Sequence, residues 1–313
     1  MLADVALLIT GLILLAIGAE ALVRGASALA LRLGIAPLVV GLTVVAFATG
    51  APELAVSVKG AVSGNSGIAL GNVIGSNISN IALVLGVAAL VRPMKVEARL
   101  VRREIPLMIA ATATLFVLLL DGLLGRFDGA VLMAGAVAYT TFAYRGASEG
   151  DRPAVSSQFD SAIERLRTPF LSLALIAGGV AILVLGADVL VEGAVSIAGA
   201  LGVSQAVIAL TVIAIGTSLP ELATSVTAAR KRQADVAFGN VIGSSTINIL
   251  GILGLTALIR PIVVEGLRPL DLGMFLGTAL FILPMMARGW VLSRLEGFLL
   301  VAAYVLYLTS LVA

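Results

Sequence analysis

The chain has no cysteine and no histidine, a single tryptophan, and charged side chains at only 12% of its 313 positions. Without cysteine there are no disulfides and no thiol chemistry. Without histidine the commonest transition-metal ligand and the usual proton shuttle near neutral pH are gone. The scarcity of charge excludes more. With hydrophobic residues at 60% and a mean hydropathy of +1.13, there is too little polar side chain to cover a soluble globule of this length. Windows such as 36–52 and 173–187 carry no charge at all, whereas a soluble helix of that length would show an amphipathic stripe. The composition is that of an integral membrane protein. Its net charge of +2 says little about partners, because in a membrane the placement of charge matters more than the sum.

What is present is a duplication. An offset of 168 residues aligns Gly11 with Gly179, Gly18 with Gly186, Gly34 with Gly202 and Thr43 with Thr211 without a gap. It carries AFATGAPELAV (46–56) onto AIGTSLPELAT (214–224), GNVIGS (71–76) onto GNVIGS (239–244), and Val91-Arg92-Pro93 onto Ile259-Arg260-Pro261. A repeat of half the chain in so apolar a protein points to two fused membrane halves and not to a solenoid.

Charge clusters and Gly/Pro turns divide the chain into ten apolar segments, at about 3–31, 36–62, 67–90, 104–121, 126–144, 168–198, 203–229, 236–259, 269–287 and 290–312. Each can cross a hydrocarbon core of about 30 Å, some with a tilt or a break. The first lacks a basic leader and a small-residue cleavage site, so it reads as a span. With the N-terminus outside, the inner loops collect 16 of the 20 basic residues, and the positive-inside rule selects that orientation. Both termini then face outward. Five spans per half is an odd number, so the second half enters the membrane from the opposite side. The expected fold is all-α: a polytopic membrane protein of ten transmembrane helices in two inverted five-helix repeats, 1–144 and 168–313, joined by a cytoplasmic linker at 145–167. The expected location is a membrane, which the chain crosses many times.

Between Leu33 and Val91 the ionisable residues are Glu53 and Lys59, and Glu53 sits near mid-span. A carboxylate at that depth costs roughly 2.5–3.5 kcal/mol, so it needs a cationic or hydrogen-bonding partner. No arginine or lysine is placed to serve, which leaves a bound cation or a proton. Glu221 is its counterpart. Pro52 and Pro220 cannot donate a backbone hydrogen bond, so each disrupts the turn before it and exposes carbonyls around Ala46–Thr49 and Ala214–Thr217. Thr49, and in the second copy Thr217 and Ser218, lie three or four residues before the glutamate and share its helix face. Asn72, Ser76 and Asn80 form a stripe at i, i+4, i+8, repeated by Asn240, Ser244 and Asn248. Two carboxylates with amides, hydroxyls and carbonyls suit Ca²⁺ or Na⁺ and argue against zinc or copper, while Mg²⁺ is less easily excluded. GNVIG is also a small-xxx-small motif, which assigns close helix packing to Gly71, Gly75, Gly239 and Gly243. Interhelical hydrogen bonding is the leading reading for Asn72 and Asn240. Glu20 and Asp188, a further repeat-related pair, read as interfacial and stay outside the site.

These motifs resemble the cation/Ca²⁺ exchanger superfamily, specifically its prokaryotic Na⁺/Ca²⁺ exchanger branch. The resemblance rests on GTSLPEL (216–222) with GNVIGSSTIN (239–248), and on ATGAPEL (48–54) with GNVIGSNISN (71–80). It implies a secondary antiporter, not an enzyme, in which Ca²⁺ and several Na⁺ compete for overlapping sites while the first and sixth spans move across an eight-span core. By motif match, Glu53 and Glu221 take Ca²⁺ with backbone oxygen from Thr49 and Thr217. Ala46, Ala214, Ser76, Ser244 and Ser218 contribute to flanking Na⁺ sites, and Asn80 and Asn248 complete the centre. Gly50 departs from the family's usual hydroxyl residue, which leaves one Na⁺ site short of a ligand. Asn248 stands where K⁺-dependent relatives carry aspartate, which argues against K⁺. A H⁺/Ca²⁺ antiporter is the alternative, since protons can replace Na⁺ on a close pair of carboxylates. A cation channel and an intramembrane hydrolase fit less well. The expected ligands are Ca²⁺ and Na⁺ or H⁺ as transported ions within membrane lipid, with no cofactor, no nucleic acid and no obligatory protein partner.

Overall fold

The computed structural model describes residues 2–33, 36–64, 66–146, 169–201, 214–264 and 266–312. Nearly all of the expected linker, 145–167, and the start of the seventh expected span therefore lie outside the described residues. In chain order the helices are α1 (Leu2–Leu33), α2 (Leu38–Thr49), α3 (Ala51–Val62), α4 (Ser66–Val91), α5 (Ile105–Leu118), α6 (Arg126–Gly146), α7 (Pro169–Ala200), α8 (Ala214–Thr217), α9 (Leu219–Arg230), α10 (Ala234–Ile259), α11 (Pro269–Ala287) and α12 (Arg294–Val312). Counting α2 with α3 and α8 with α9 as broken spans gives the ten expected segments. Among the described residues six helices are long and apolar enough to cross a membrane unaided, and the α2–α3 pair, bent by 47°, makes a seventh. The protein is a multi-pass integral membrane protein of ten helices in two inverted repeats.

Four two-residue strands record the two-fold relation between the halves. β1 (Met94–Lys95) pairs antiparallel with β4 (Val291–Leu292), and β2 (Leu123–Leu124) with β3 (Ile262–Val263). The register Met94 to Leu292 becomes Ile262 to Leu124 when 168 is added to one partner and subtracted from the other, which is the observed pair. The structural repeat thus runs through α6 and α12, well past the residues whose sequences visibly match.

Glycine sets the closest approaches. Gly11, Gly18 and Gly25 recur every seven residues along α1, matched by Gly179, Gly186 and Gly193 on α7, and the two helices pack antiparallel along these rows. A Cβ on Gly179 would stand 2.7 Å from the Leu22 backbone nitrogen, so the helices touch backbone to backbone. This pair is peripheral. Only 22% of the α1 span window and 33% of that of α7 is buried, against 78% for α4 and 72% for α10. Those two central helices carry the GNVIG motifs. Gly239 and Gly243 take the packing role expected of them, since a Cβ on Gly243 would meet Leu42 backbone at 2.6 Å. For Gly71 and Gly75, the symmetry-related neighbours at 206–210 lie outside the described residues.

Candidate functional site

Each Pro-Glu break is a short interruption of helix with a carboxylate just beyond it. Gly50 (φ −76°, ψ 3°) separates α2 from α3, and Ser218 (φ −88°, ψ 2°) separates α8 from α9. Proline falls in the first turn of the new helix, where its missing N–H costs nothing, and Glu53 and Glu221 follow it immediately. Both carboxylates therefore sit at the positive end of a half-helix, while the preceding half-helix ends with its carbonyls toward the same point. The two breaks differ in one bond. Gly50 N–H donates to the Ala46 carbonyl (3.1 Å), whereas Ser218 N–H reaches the Ile215 carbonyl (3.0 Å), a turn tighter by one residue. The Ala46 carbonyl is thus not wholly free, as the proline alone would suggest; it keeps one lone pair.

Some of the expected residues meet across the repeats. Glu53 and Glu221 are both fully buried and close enough to interact electrostatically, although they come from opposite halves. Thr49, Ser76, Asn80, Ser218, Ser244 and Asn248 are each exposed by 2% or less. Among the described residues, both carboxylates, both side-chain atoms of Asn80 and of Asn248, and the hydroxyls of Ser76, Ser218 and Ser244 have no hydrogen-bond partner. Ala46 is buried among them. Thr217 is half-buried, and Ala214 begins α8. A Cβ on Gly50 would lie 3.1 Å from the Ala46 carbonyl oxygen and 3.7 Å from Asn248 Oδ1, so the second repeat completes the first repeat's break.

Orphaned buried oxygens are costly, and a cluster of them around two carboxylates fits a desolvated hard cation that would satisfy all at once. Asn72 and Asn240 do something else. Asn72 Nδ2 donates to the Glu53 carbonyl (3.0 Å) and to Ser57 Oγ (2.9 Å); Asn240 Nδ2 donates to the Glu221 carbonyl (3.3 Å) and to Ser225 Oγ (2.9 Å). Asn240 Oδ1 also accepts from Thr49 Oγ1 at 3.1 Å, across the repeats. These amides clamp the broken helices, which is the interhelical role expected of them.

Sequence reasoning missed three things. Ser57 and Ser225 complete the clamps; each lies four residues after its glutamate at matching positions, a signal the repeat contained. The asparagine stripes run into wide π turns at Ser79–Leu85 and Asn248–Leu253, a device common at functional sites, which periodicity does not reveal. Glu20 pairs with both Arg24 and Lys231 (2.6 Å each), the second tying α1 to the end of α9. Ser27 Oγ adds a bond to Gln233 Oε1 at 3.1 Å.

A ten-helix membrane fold whose inverted halves meet at paired intramembrane carboxylates defines an inverted-repeat transporter. Comparison with known proteins narrows the class. The family described as sodium/calcium exchanger protein matches residues 4–145 and 171–313. CaxA of Alkalimonas amylolytica is 37% identical over 304 residues, covering 96% of this chain and 95% of its own. The sodium/calcium exchanger MaX1 of Methanosarcina acetivorans is 33% identical, with 97% of each covered. A solved structure of the sodium-calcium exchanger NCX_Mj superposes with a TM-score of 0.84 at 31% identity over 99% of both chains. The chain belongs to the sodium/calcium exchanger family. It is accordingly a cation/Ca²⁺ exchanger, a transporter and not an enzyme.

Proposed function

We propose that the protein is a secondary antiporter that exchanges Ca²⁺ for Na⁺ by alternating access, at a single site shared by the inverted halves 1–144 and 168–313. The observation that carries this reading is the meeting of Glu53 and Glu221, both fully buried with unpartnered carboxylates, on broken helices whose neighbours α4 and α10 carry further buried, unpartnered oxygens at Ser76, Asn80, Ser244 and Asn248. Ca²⁺ bridges the two carboxylates with oxygen from Thr49 and Thr217, and Asn80 and Asn248 close the centre. Na⁺ occupies flanking positions made by Ala46, Ser76, Ala214, Ser218 and Ser244. Coupling follows because either cation load neutralises the same acidic pair, so full occupancy by both is excluded. The α1–α7 pair, packed together along its glycines, is the part that slides between the two access states. Loop charge supports a cytoplasmic linker at 145–167 and outward-facing termini, and the relatives from Alkalimonas and Methanosarcina support insertion in a prokaryotic inner membrane.

A H⁺/Ca²⁺ exchange is the second reading, favoured by the missing side chain at Gly50. Purified protein in sealed vesicles, loaded with Na⁺ and diluted into radiolabelled Ca²⁺, separates the two. Uptake is expected to require the outward Na⁺ gradient. Uptake that follows an imposed pH gradient and ignores Na⁺ would overturn the Na⁺ assignment.

A further inference from the structure

We propose that the corner formed by Arg92, Arg230 and Arg294 binds the phosphate of an anionic phospholipid headgroup. The three arginines line one cavity of about 550 Å³ together with Val91 and Pro93. They arrive from three helix ends: Arg92 follows the last residue of α4, Arg230 ends α9 and Arg294 begins α12. Among the described residues no acid lines the cavity. Arg294 Nε donates to the Leu90 carbonyl at 3.2 Å, which orients its guanidinium, while Arg92 and Arg230 have no acidic partner among the described residues. Three guanidinium groups sharing a cavity repel one another unless an anion joins them. Their planar forks match phosphate oxygens, and basic pockets between helices at this edge of a membrane suit phospholipid headgroups.

The surroundings favour lipid over a soluble anion. Val91 is 41% exposed, and α12 continues from Arg294 with Leu295, Phe298 and Leu299 exposed by 68%, 58% and 53%, an apolar surface on which acyl chains can lie. The corner also breaks the molecular symmetry. Its two-fold counterpart is built from Arg260, Val62 and Arg126, and Arg260 Nη1 there donates to the Val62 carbonyl at 2.8 Å. Valine replaces the third arginine. The phosphate site therefore belongs to one face, the side rich in basic loops. Arg230 also borders the pocket that contains Glu20 and Lys231, so a headgroup held there fastens the end of the Glu221 helix to α4 and α12 beside its contact with α1.

The test uses the purified full chain, stripped of lipid and placed in phosphatidylcholine nanodiscs. Short-chain phosphatidylglycerol is titrated in and bound lipid is counted by native mass spectrometry, a readout that does not depend on the exchange reading. Wild type is expected to retain phosphatidylglycerol over phosphatidylcholine. Arg230→Val and Arg92→Gln should each weaken retention about fivefold, Arg230→Lys less, and Arg260→Gln at the mirror corner not at all. Equal retention of the two lipids by wild type would overturn the proposal, as would unchanged retention in a protein carrying both Arg230→Val and Arg92→Gln. Inorganic phosphate displacing the lipid at comparable concentration would reassign the corner to a soluble anion and overturn the lipid assignment.

Discussion

The two Pro-Glu breaks are near copies in backbone and unequal in side chains, and among the expected ligands the inequality falls at one position. Gly50 and Ser218 hold almost the same φ and ψ, with φ negative in both, so glycine is not required there by the chain's path. What differs is a hydroxyl. The charge and its clamps are matched: each glutamate is fully buried, and its backbone carbonyl is held by an asparagine that also holds a serine. A duplicated centre thus keeps its charge and its clamps in both copies while one copy gives up a neutral ligand, which places any difference in ion selectivity on Gly50. Away from the centre the halves diverge more. Glu20 finds Lys231, but its counterpart Asp188 makes no ion pair among the described residues, and Ser63 stands where Lys231 would be. The tie holding the α1–α7 pair is one-sided.

The largest effect should come from removing either charge of the shared pair. Glu53→Gln and Glu221→Gln each delete a unit charge worth about 4 kcal/mol to a cation at 4 Å in an effective dielectric of 20. Ca²⁺ uptake should fall to background in both variants. Wild-type rates in either one would remove that residue from the site and end the equivalence of the halves.

The clamps test the same symmetry at lower cost. Asn72→Ala and Asn240→Ala each remove an amide bridge from a glutamate carbonyl to a buried serine hydroxyl, about 1–3 kcal/mol each. Because Asn240 also accepts from Thr49, its loss should lower the thermal midpoint further than that of Asn72. Equal midpoints would mean that the cross-repeat bond contributes nothing.

Adjacent glycines on α7 give an internal control for the peripheral pair. Gly179→Ala drives a methyl into the Leu22 backbone and should cost about 1–3 kcal/mol. Gly178→Ala meets nothing within 4 Å and should stabilise the helix by about 0.5–1 kcal/mol. Thermal unfolding should move in opposite directions, and a shared direction would sink the backbone-contact account of α1 against α7.

The smallest expected change is the most informative about the coupling ion. Gly50→Ser needs the Ala46 carbonyl to yield by a few tenths of an ångström and then offers a hydroxyl beside Asn248. Na⁺ dependence of uptake should steepen, and Ser218→Gly should flatten it, each by a few-fold, in keeping with about 1 kcal/mol for one neutral ligand. An unchanged Na⁺ response in both would detach this position from coupling.

Composition, the ten segments, the duplication and its inversion were all legible in the sequence. Each depends on the identity of residues close together in the chain, or on a fixed offset between two copies. For the same reason the Pro-Glu breaks and the candidate ligands could be listed in advance: a charge in an apolar run stands out wherever the chain goes. Tertiary structure alone decided the Thr49–Asn240 bond, the amide clamps on the glutamate carbonyls, the Glu20–Lys231 tie and the gathering of Arg92, Arg230 and Arg294. Those contacts join residues up to about two hundred positions apart, and whether two side chains meet at that separation depends on how the helices cross. The glycine rows show the boundary most plainly. Their seven-residue spacing is written in the chain, but that α1 lies along α7, antiparallel and backbone to backbone, is a property of two surfaces that only folding brings together.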